Sequence, residues 1–261
     1  MVDQYLTAAF FGLIVAAASY AARFLTLSGS IATFLLAVII FGAGGWQWAI
    51  PIVVFFVLSS LLSKYGRARK KALDQLFEKS ATRDWGQVIA NGGIATLIAF
   101  LSSSFPSFDF YPFYLGALAA VTADTWGTEI GVLTNGTTVS VLSLKPVEPG
   151  TSGGISESGT IGGAIGAMVV ALTGYPWYTE LRTTFVVVVG GIVGSLADSF
   201  LGATVQAQYK CEVCGRITER RMHCSQETKL HSGLRWINND VVNGLCALVG
   251  AVVAWGLLLL V

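Results

Sequence analysis

Long apolar stretches, separated by short polar connections, dominate the chain. A helix that crosses a bilayer needs about 20 mostly apolar residues, and eight stretches of the sequence come near that length. They lie at residues 5–22, 30–43, 48–63, 86–104, 113–133, 158–174, 183–203 and 240–261. The second and third are short and share a turn, so they form two tight spans or one re-entrant hairpin, and we favour two spans. The pattern predicts an all-α, polytopic helical bundle of about eight transmembrane helices, with residues 1–261 as one membrane domain.

The composition agrees with a lipid environment. Hydrophobic residues make up 54% of the chain and charged residues 12%, about half the charged share of a soluble domain. Such a chain could not cover its surface with polar groups, which excludes a soluble enzyme and a disordered protein. The net charge of +1 gives no field that would attract nucleic acid. Four cysteines without a dense pattern exclude a secreted disulfide scaffold.

The basic residues predict the orientation of the bundle. Fifteen of the 16 Lys and Arg residues fall in the connections near 23–29, 64–85, 134–157 and 204–239, which lie on one face if eight helices cross. Arg182 falls on the other face, where Trp and Tyr residues cluster as an interfacial belt. Because basic loops stay in the cytoplasm, we expect a cytoplasmic basic face and two non-cytoplasmic termini. The expected location is the plasma or inner membrane.

Two acidic residues within predicted spans are the sharpest chemical signal. Asp124 lies in an Ala-Asp-Thr motif with Glu129 five residues later, and Asp198 lies in an Ala-Asp-Ser motif. A carboxylate inside a bilayer needs a partner or an aqueous cavity. Two carboxylates that face one cavity suit a hard cation such as Mg²⁺. The alternative is that each is a buried structural acid bonded to a neighbouring helix.

A connection rich in Gly, Ser and Thr, residues 143–163, leads directly into the sixth predicted helix. Its glycines expose backbone N–H groups, and a helix N-terminus favours an anion. Lys145 could add a positive charge to a phosphate site. The loop is not a Walker A motif, because no lysine follows a glycine in this chain. We expect phosphate binding here, and the alternative is a flexible connector.

Amide side chains gather at the entries to two other predicted helices. Residues 238–243 read Asn-Asn-Asp-Val-Val-Asn at the start of the last span, which is more polar than one N-cap requires. Gln87 and Asn91 are four residues apart and share one face of the fourth span. Each group either lines the acidic cavity or has a structural role, as a helix cap or as a link between helices.

Cysteine and histidine residues cluster in the predicted cytoplasmic loop 205–237. They are Cys211, Cys214, His223, Cys224 and His231. A Cys-x-x-Cys pair with a further Cys and one His can form a tetrahedral Zn²⁺ site, and the reducing cytoplasm disfavours a disulfide. We expect a small structural zinc knuckle held by the three cysteines and either His223 or His231. Unliganded thiols and a redox pair are the alternatives.

Taken in order, these motifs resemble the integral-membrane phytyl-phosphate kinase family of tocopherol biosynthesis, long catalogued as a domain of unknown function. The matching motifs are Ala123-Asp124-Thr125 with Glu129, Lys145-Pro146, Gly150-Thr151-x-Gly153-Gly154, Gly159-Thr160, Ala197-Asp198-Ser199 with Gly202-Ala203-Thr204, Asn238-Asn239 and Val242-Asn243. Their order is more distantly similar to polyprenol and dolichol kinases and to CDP-diacylglycerol synthases. The Cys/His insert between Gln208 and Gly233 departs from the family pattern and is expected to mark a subgroup.

The resemblance implies a kinase that moves a phosphoryl group from a nucleoside triphosphate, expected to be CTP, to a phytyl or other prenyl monophosphate. Asp124, Lys145 and Asp198 would be catalytic, and Asp124, Glu129 and Asp198 would hold Mg²⁺. The implied nucleotide- or phosphate-binding residues are Asn91, Gly150, Thr151, Gly153, Gly154, Thr160, Asn238, Asn239 and Asn243. The rival functions are a cytidylyltransferase that forms a CDP-lipid, a membrane transporter and a structural membrane scaffold. Membrane lipids are expected partners, and nucleic acid is not.

Overall fold

The computed structural model describes residues 2–65, 82–134 and 136–260. Within these ranges the chain forms eight helices. They are α1 (Val2–Ala21), α2 (Leu27–Gly44), α3 (Trp46–Tyr65), α4 (Trp85–Ser104), α5 (Tyr111–Leu133), α6 (Glu157–Gly174), α7 (Leu181–Thr204) and α8 (Asn239–Leu258). Each predicted span corresponds to one helix, and the second and third are separate helices rather than a re-entrant hairpin. The predicted all-α, polytopic bundle is confirmed.

Six of these helices, α1 to α4, α7 and α8, are long and apolar enough to cross a membrane. That the two others, α5 and α6, also cross the membrane stays a prediction. Helix α5 is central: it packs against α3, α4, α6, α7 and α8, and more than half of its residues are buried. Because neighbouring helices shield α5 from lipid, it can carry polar residues that a lipid-facing helix could not.

Small residues allow the inner helices to approach closely, most clearly where α7 contacts α8. A Cβ atom at Gly190 of α7 would lie 2.7 Å from the Gly250 carbonyl oxygen of α8. At Gly194 it would lie 2.9 Å from the Cys246 carbonyl oxygen. Neither distance leaves room for a side chain, so this contact requires glycine on α7. Cys246 is fully buried at the same contact and packs between the two helices.

Two connections at one end of the bundle form small antiparallel sheets that the sequence did not predict. In the α5–α6 connection, β1 (Thr138–Ser140) pairs with β2 (Gly154–Ser156). In the α7–α8 connection, β3 (Gln208–Lys210) lies between β4 (Ile217–Thr218) and β7 (Lys229–Ser232), and β5 (Met222–His223) pairs with β6 (Gln226–Glu227). Strands of two to four residues are too short to leave an alternating pattern in the sequence.

The opposite end of the bundle is packed with aromatic side chains. We call Trp48, Tyr111, Tyr114 and Tyr178 the aromatic cluster. Pro51 lies inside α3 and has no N–H to donate to the Gln47 carbonyl one turn earlier. The Tyr111 hydroxyl donates to this carbonyl at 2.9 Å, and the Tyr114 hydroxyl donates to the Trp48 carbonyl. The cluster therefore supplies a hydrogen bond that the proline removes.

The described basic residues of the predicted cytoplasmic face lie at the end away from the aromatic cluster. They are Arg23, Lys64, Arg83, Lys145, Lys210, Arg216, Arg220, Arg221, Lys229 and Arg235. Arg182 lies at the aromatic end, 3.2 Å from Glu180. The remaining basic residues, Arg67, Arg69, Lys70, Lys71 and Lys79, lie outside the described residues. Helix α1 begins and α8 ends at the aromatic end, and the side of the membrane that this end faces stays a prediction.

Candidate active site in a polar cavity

A cavity of about 300 Å³ lies at the end of the bundle away from the aromatic cluster. The N-terminal turns of α4, α6 and α8, the second halves of α5 and α7, and the α5–α6 connection form its walls. Most predicted site residues line it. They are Asn91, Asp124, Glu129, Gly150, Thr151, Gly153, Gly154, Thr160, Asp198, Asn239 and Asn243. Three helix N-termini add partial positive charge to this space, which suits an anionic ligand.

The two predicted catalytic aspartates meet where α5 contacts α7. The carboxyl groups of Asp124 and Asp198 lie close to each other in the cavity wall. Asp198 Oδ2 is buried and has no hydrogen-bond partner among the described residues. Two carboxylates this close repel each other unless a proton or a cation lies between them. Since Mg²⁺ prefers oxygen ligands, the pair and the orphaned oxygen fit a divalent cation, and they distinguish this site from a satisfied structural acid.

Glu129 and Arg83 form a second charged group in the cavity wall. Glu129 Oε1 accepts a hydrogen bond of 2.8 Å from Ser63 Oγ. Burial lowers the pKa of Arg83, and the nearby Glu129 charge raises it. The Arg83 backbone is fixed because its N–H donates to the Phe24 carbonyl at 2.9 Å. Arg83 thus brings a positive charge to the cavity wall. The sequence patterns did not assign it to the site, although it directly precedes the Asp84 cap of α4.

The glycine-rich loop, residues 150–154, is held in a conformation that needs glycine. Gly150 and Gly153 have φ values of +85° and +79°. A Cβ atom at Gly153 would lie 2.8 Å from a backbone carbonyl oxygen of α7. The N–H groups of Thr151 and Gly154 donate to the carbonyl oxygens of Glu148 and Thr151. Those of Ser152 and Gly153 donate to no backbone carbonyl among the described residues. Successive N–H groups of this kind can bind an anion.

The amide residues divide between a cap and the cavity. Asn238 is the N-cap of α8, where its side chain accepts a hydrogen bond from a backbone N–H at 3.1 Å, and it lies outside the lining of the main cavity. Asn239 and Asn243 line that cavity. Asn91 Nδ2 donates to the Gln87 carbonyl at 2.8 Å, and Gln87 belongs to the capping box of α4. Gln87 and Asn91 also line the cavity, so each combines a structural role with a place in the cavity wall.

Lys145 lies outside the cavity lining, contrary to its expected catalytic role. It is exposed on the turn that follows β1, where Ser140 N–H donates to the Lys145 carbonyl at 2.9 Å. Pairing of β1 with β2 brings residues 154–156 to the cavity, whereas residues 141–149 of the connection between the two strands lie outside the lining. Among the described lining residues, Arg83 carries the positive charge that was expected of Lys145.

The α7–α8 connection contributes an acid to the same cavity. Glu219 Oε1 accepts hydrogen bonds from Ser152 Oγ at 2.8 Å and from Gln206 Nε2 at 2.7 Å. Glu219 and Gln206 both line the cavity. Ser152 and Glu219 are 67 residues apart in the chain, and no local pattern could reveal their contact. The loop that carries the expected zinc knuckle therefore touches the glycine-rich loop directly.

The Cys/His residues converge next to this contact. The ligand atoms of Cys211, Cys214, His223 and Cys224 all lie within 4.8 Å of one another. Of the two candidate histidines, the structure brings His223 to the cysteines, whereas His231 is exposed on β7. A hydrogen bond from the backbone of Cys214 lowers the pKa of the Cys211 thiol to about 6. The thiolate is the form of cysteine that binds metals.

Comparisons with known proteins agree on the class of molecule. The family model described as "Integral membrane protein DUF92" matches residues 10–251. Protein PGR of Arabidopsis thaliana is 30% identical over 256 residues, which cover 88% of each chain. An uncharacterized membrane protein of Methanocaldococcus jannaschii is 33% identical over 181 residues, 69% of this chain and 74% of its own. Protein VTE6, chloroplastic, of Arabidopsis thaliana is 25% identical over 237 residues, 88% of this chain and 64% of its own. No solved structure matches.

Proposed function

The chain belongs to the DUF92 integral membrane family, and we propose that it transfers a phosphoryl group from CTP to an isoprenyl monophosphate, giving the diphosphate. The observation that carries the proposal is the Asp124–Asp198 pair with its orphaned oxygen, which faces the glycine-rich loop across one cavity. A cation site beside an anion-binding loop is the arrangement that phosphoryl transfer needs. The nature of the donor and acceptor follows from the resemblance to phytyl-phosphate kinases.

Each group in the cavity has a distinct role in this proposal. Asp124 and Asp198 would hold Mg²⁺, which when bound neutralises charge on the donor phosphates. Arg83 and the N–H groups of Ser152 and Gly153 bind phosphate oxygens. Glu129, which is held by the Ser63 hydroxyl, lies near Arg83 and would balance part of its charge when no phosphate is bound. The amide side chains on α8 complete the polar wall on the other side.

The chemical step needs positioning more than acid–base chemistry. A phosphate oxygen of the acceptor attacks the γ-phosphorus of CTP, the bond to the β–γ bridging oxygen breaks, and CDP leaves with that electron pair. The acceptor phosphate is largely ionised at neutral pH, because its second pKa is about 6. No residue is therefore required to remove a proton. The cavity residues hold two anionic reactants in line against their mutual repulsion.

The position of the cavity supports a lipid acceptor and argues against transport. It lies between membrane-embedded helices, so an isoprenyl tail can stay in the bilayer while its phosphate enters the polar space. A transporter binds its substrate near the midplane and opens to both faces. Here the cavity lies at one end of the bundle, and the aromatic cluster packs the other end. This asymmetry favours an enzyme.

The deciding experiment follows CTP labelled separately at the α- and γ-phosphates, with purified protein in liposomes and with phytyl, farnesyl or geranylgeranyl monophosphate. We expect the γ label in the prenyl diphosphate and the α label in released CDP. Incorporation of the α label into lipid with release of pyrophosphate would identify the cytidylyltransferase instead. Absence of both turnover and nucleotide binding would rule out the kinase and the cytidylyltransferase alike. Asp124→Asn serves as the inactive control, and Asp3→Asn, at an exposed position on α1, as the matched active control.

A further inference from the structure

A set of soft ligands converges in residues 208–232, which we call the Cys/His knuckle. Cys214 Sγ lies 3.6 Å and Cys224 Sγ 3.2 Å from His223 Nδ1. Cys211 is 1% exposed and His223 is 9% exposed. Three sulfur atoms and one imidazole nitrogen match the closed tetrahedral ligand set of a structural Zn²⁺ site. Four protein ligands leave no open position, which distinguishes the set from a catalytic zinc site.

Two tight turns present these ligands. In the first, Gly215 has a φ of +75° and its N–H donates to the Cys211 carbonyl at 2.9 Å, which brings the Cys-x-x-Cys pair around one point. In the second, Cys224 and Ser225 follow His223 with φ values of +50° and +60°. Two successive non-glycine residues in the left-handed region are uncommon and need support from their surroundings. A metal bound by His223 and Cys224 would provide that support.

The knuckle is joined to the candidate active site by one residue. Glu219 follows β4 directly, between the two pairs of ligands, and its Oε1 accepts from Ser152 Oγ at 2.8 Å. On the far side of Glu219, Arg220 and Arg221 are tied to Thr228 by hydrogen bonds of 2.8 and 3.0 Å. The position of Glu219 thus depends on both halves of the knuckle.

We propose that Cys211, Cys214, His223 and Cys224 bind one Zn²⁺, and that the metal-held knuckle positions Glu219 so that it fixes the glycine-rich loop. The first part stands on the ligand cluster alone. The second part rests on the proposed function only in assigning phosphate binding to that loop. Glu219 is a positioning residue, because it acts through Ser152.

Metal analysis of the purified full-length protein in detergent tests the site without any activity measurement. We expect one zinc per chain, and a reduction of about tenfold or more in Cys214→Ser and His223→Ala. His231→Ala and Cys246→Ser are the matched controls and should keep the metal. Cobalt in place of zinc should give the absorption spectrum of a tetrahedral thiolate site. A zinc-free wild-type protein, or equal zinc loss in His231→Ala and His223→Ala, would overturn the assignment.

Hydrogen exchange tests the connection between the knuckle and the loop. Glu219→Ala should keep its zinc and exchange faster at residues 150–154, and removal of zinc from the wild type should give the same increase. With CTP as the nucleotide, Glu219→Ala should raise the KM about tenfold and change kcat much less, as expected for a lost hydrogen bond to a charged group. Unchanged exchange at 150–154 in both the variant and the zinc-free protein would refute the positioning role. If no nucleotide is turned over, the proposed function fails, while the zinc and exchange results still decide this proposal.

Discussion

The two ends of the bundle treat buried polar groups in opposite ways. In the aromatic cluster the hydroxyls of Tyr111 and Tyr114 donate to backbone carbonyl oxygens of α3. In the cavity, Asp198 Oδ2 has no such partner among the described residues and Asp124 lies against it. Buried polar atoms are normally satisfied within the fold, so an orphaned carboxylate oxygen marks a place where a ligand completes the structure. Substitutions at the cavity should therefore reduce activity, and substitutions at the aromatic end should reduce stability.

The largest effect is expected for Asp124→Asn and Asp198→Asn. Each removes a ligand of the proposed cation, and kcat in the CTP assay should fall about a thousandfold. The Tm in detergent should stay the same or rise, because the amide relieves repulsion between two buried acids. Kinetics and thermal unfolding are measured on the same preparation. Retained activity in either variant would remove that residue from the cation site.

Arg83→Gln tests the positive charge in the cavity. Loss of charged hydrogen bonds to phosphate is worth about 1.5–3 kcal/mol, so the KM for CTP should rise about ten- to a hundredfold. The KM of Arg83→Lys should lie between those of the wild type and Arg83→Gln, since lysine keeps the charge but not the planar guanidinium group. Arg182→Gln removes a surface ion pair at the other end and should leave the KM unchanged. An unaltered KM in Arg83→Gln would show that phosphate binds elsewhere in the cavity.

The same contrast explains what the sequence could predict. The helices were readable because each needs a long apolar run, and Asp124 and Asp198 stood out because charge is rare in such runs. The contacts of Arg83 and Glu219 could not be predicted, because each joins residues that lie far apart in the sequence. Ser152 reaches Glu219 across 67 residues. Lys145 was misplaced in the expected site because pairing of two three-residue strands moves it out of the cavity.

Tyr111→Phe sharpens the other side of the comparison. It leaves the Gln47 carbonyl without the donor that compensates for Pro51, which should lower the free energy of unfolding by about 1–3 kcal/mol. Turnover by the folded protein should not change. In a Pro51→Ala background the helix can supply its own N–H, so Tyr111→Phe should be less destabilising there. Thermal unfolding of the four proteins measures this coupling, and strictly additive effects would contradict it.

The smallest effect is expected for Lys145→Ala. Lys145 is exposed on the turn after β1 and lies outside the cavity lining, and exposed substitutions usually change free energies by no more than about 0.5 kcal/mol. The kcat/KM for CTP should therefore change by less than about twofold, far less than in Arg83→Gln. A loss as large as that of Arg83→Gln would mean that the turn moves over the cavity when substrate binds. The positive charge at the polar end would then come from two side chains, Arg83 and a lysine that moves to the cavity when the ligand binds. Arg83 alone would not account for phosphate binding.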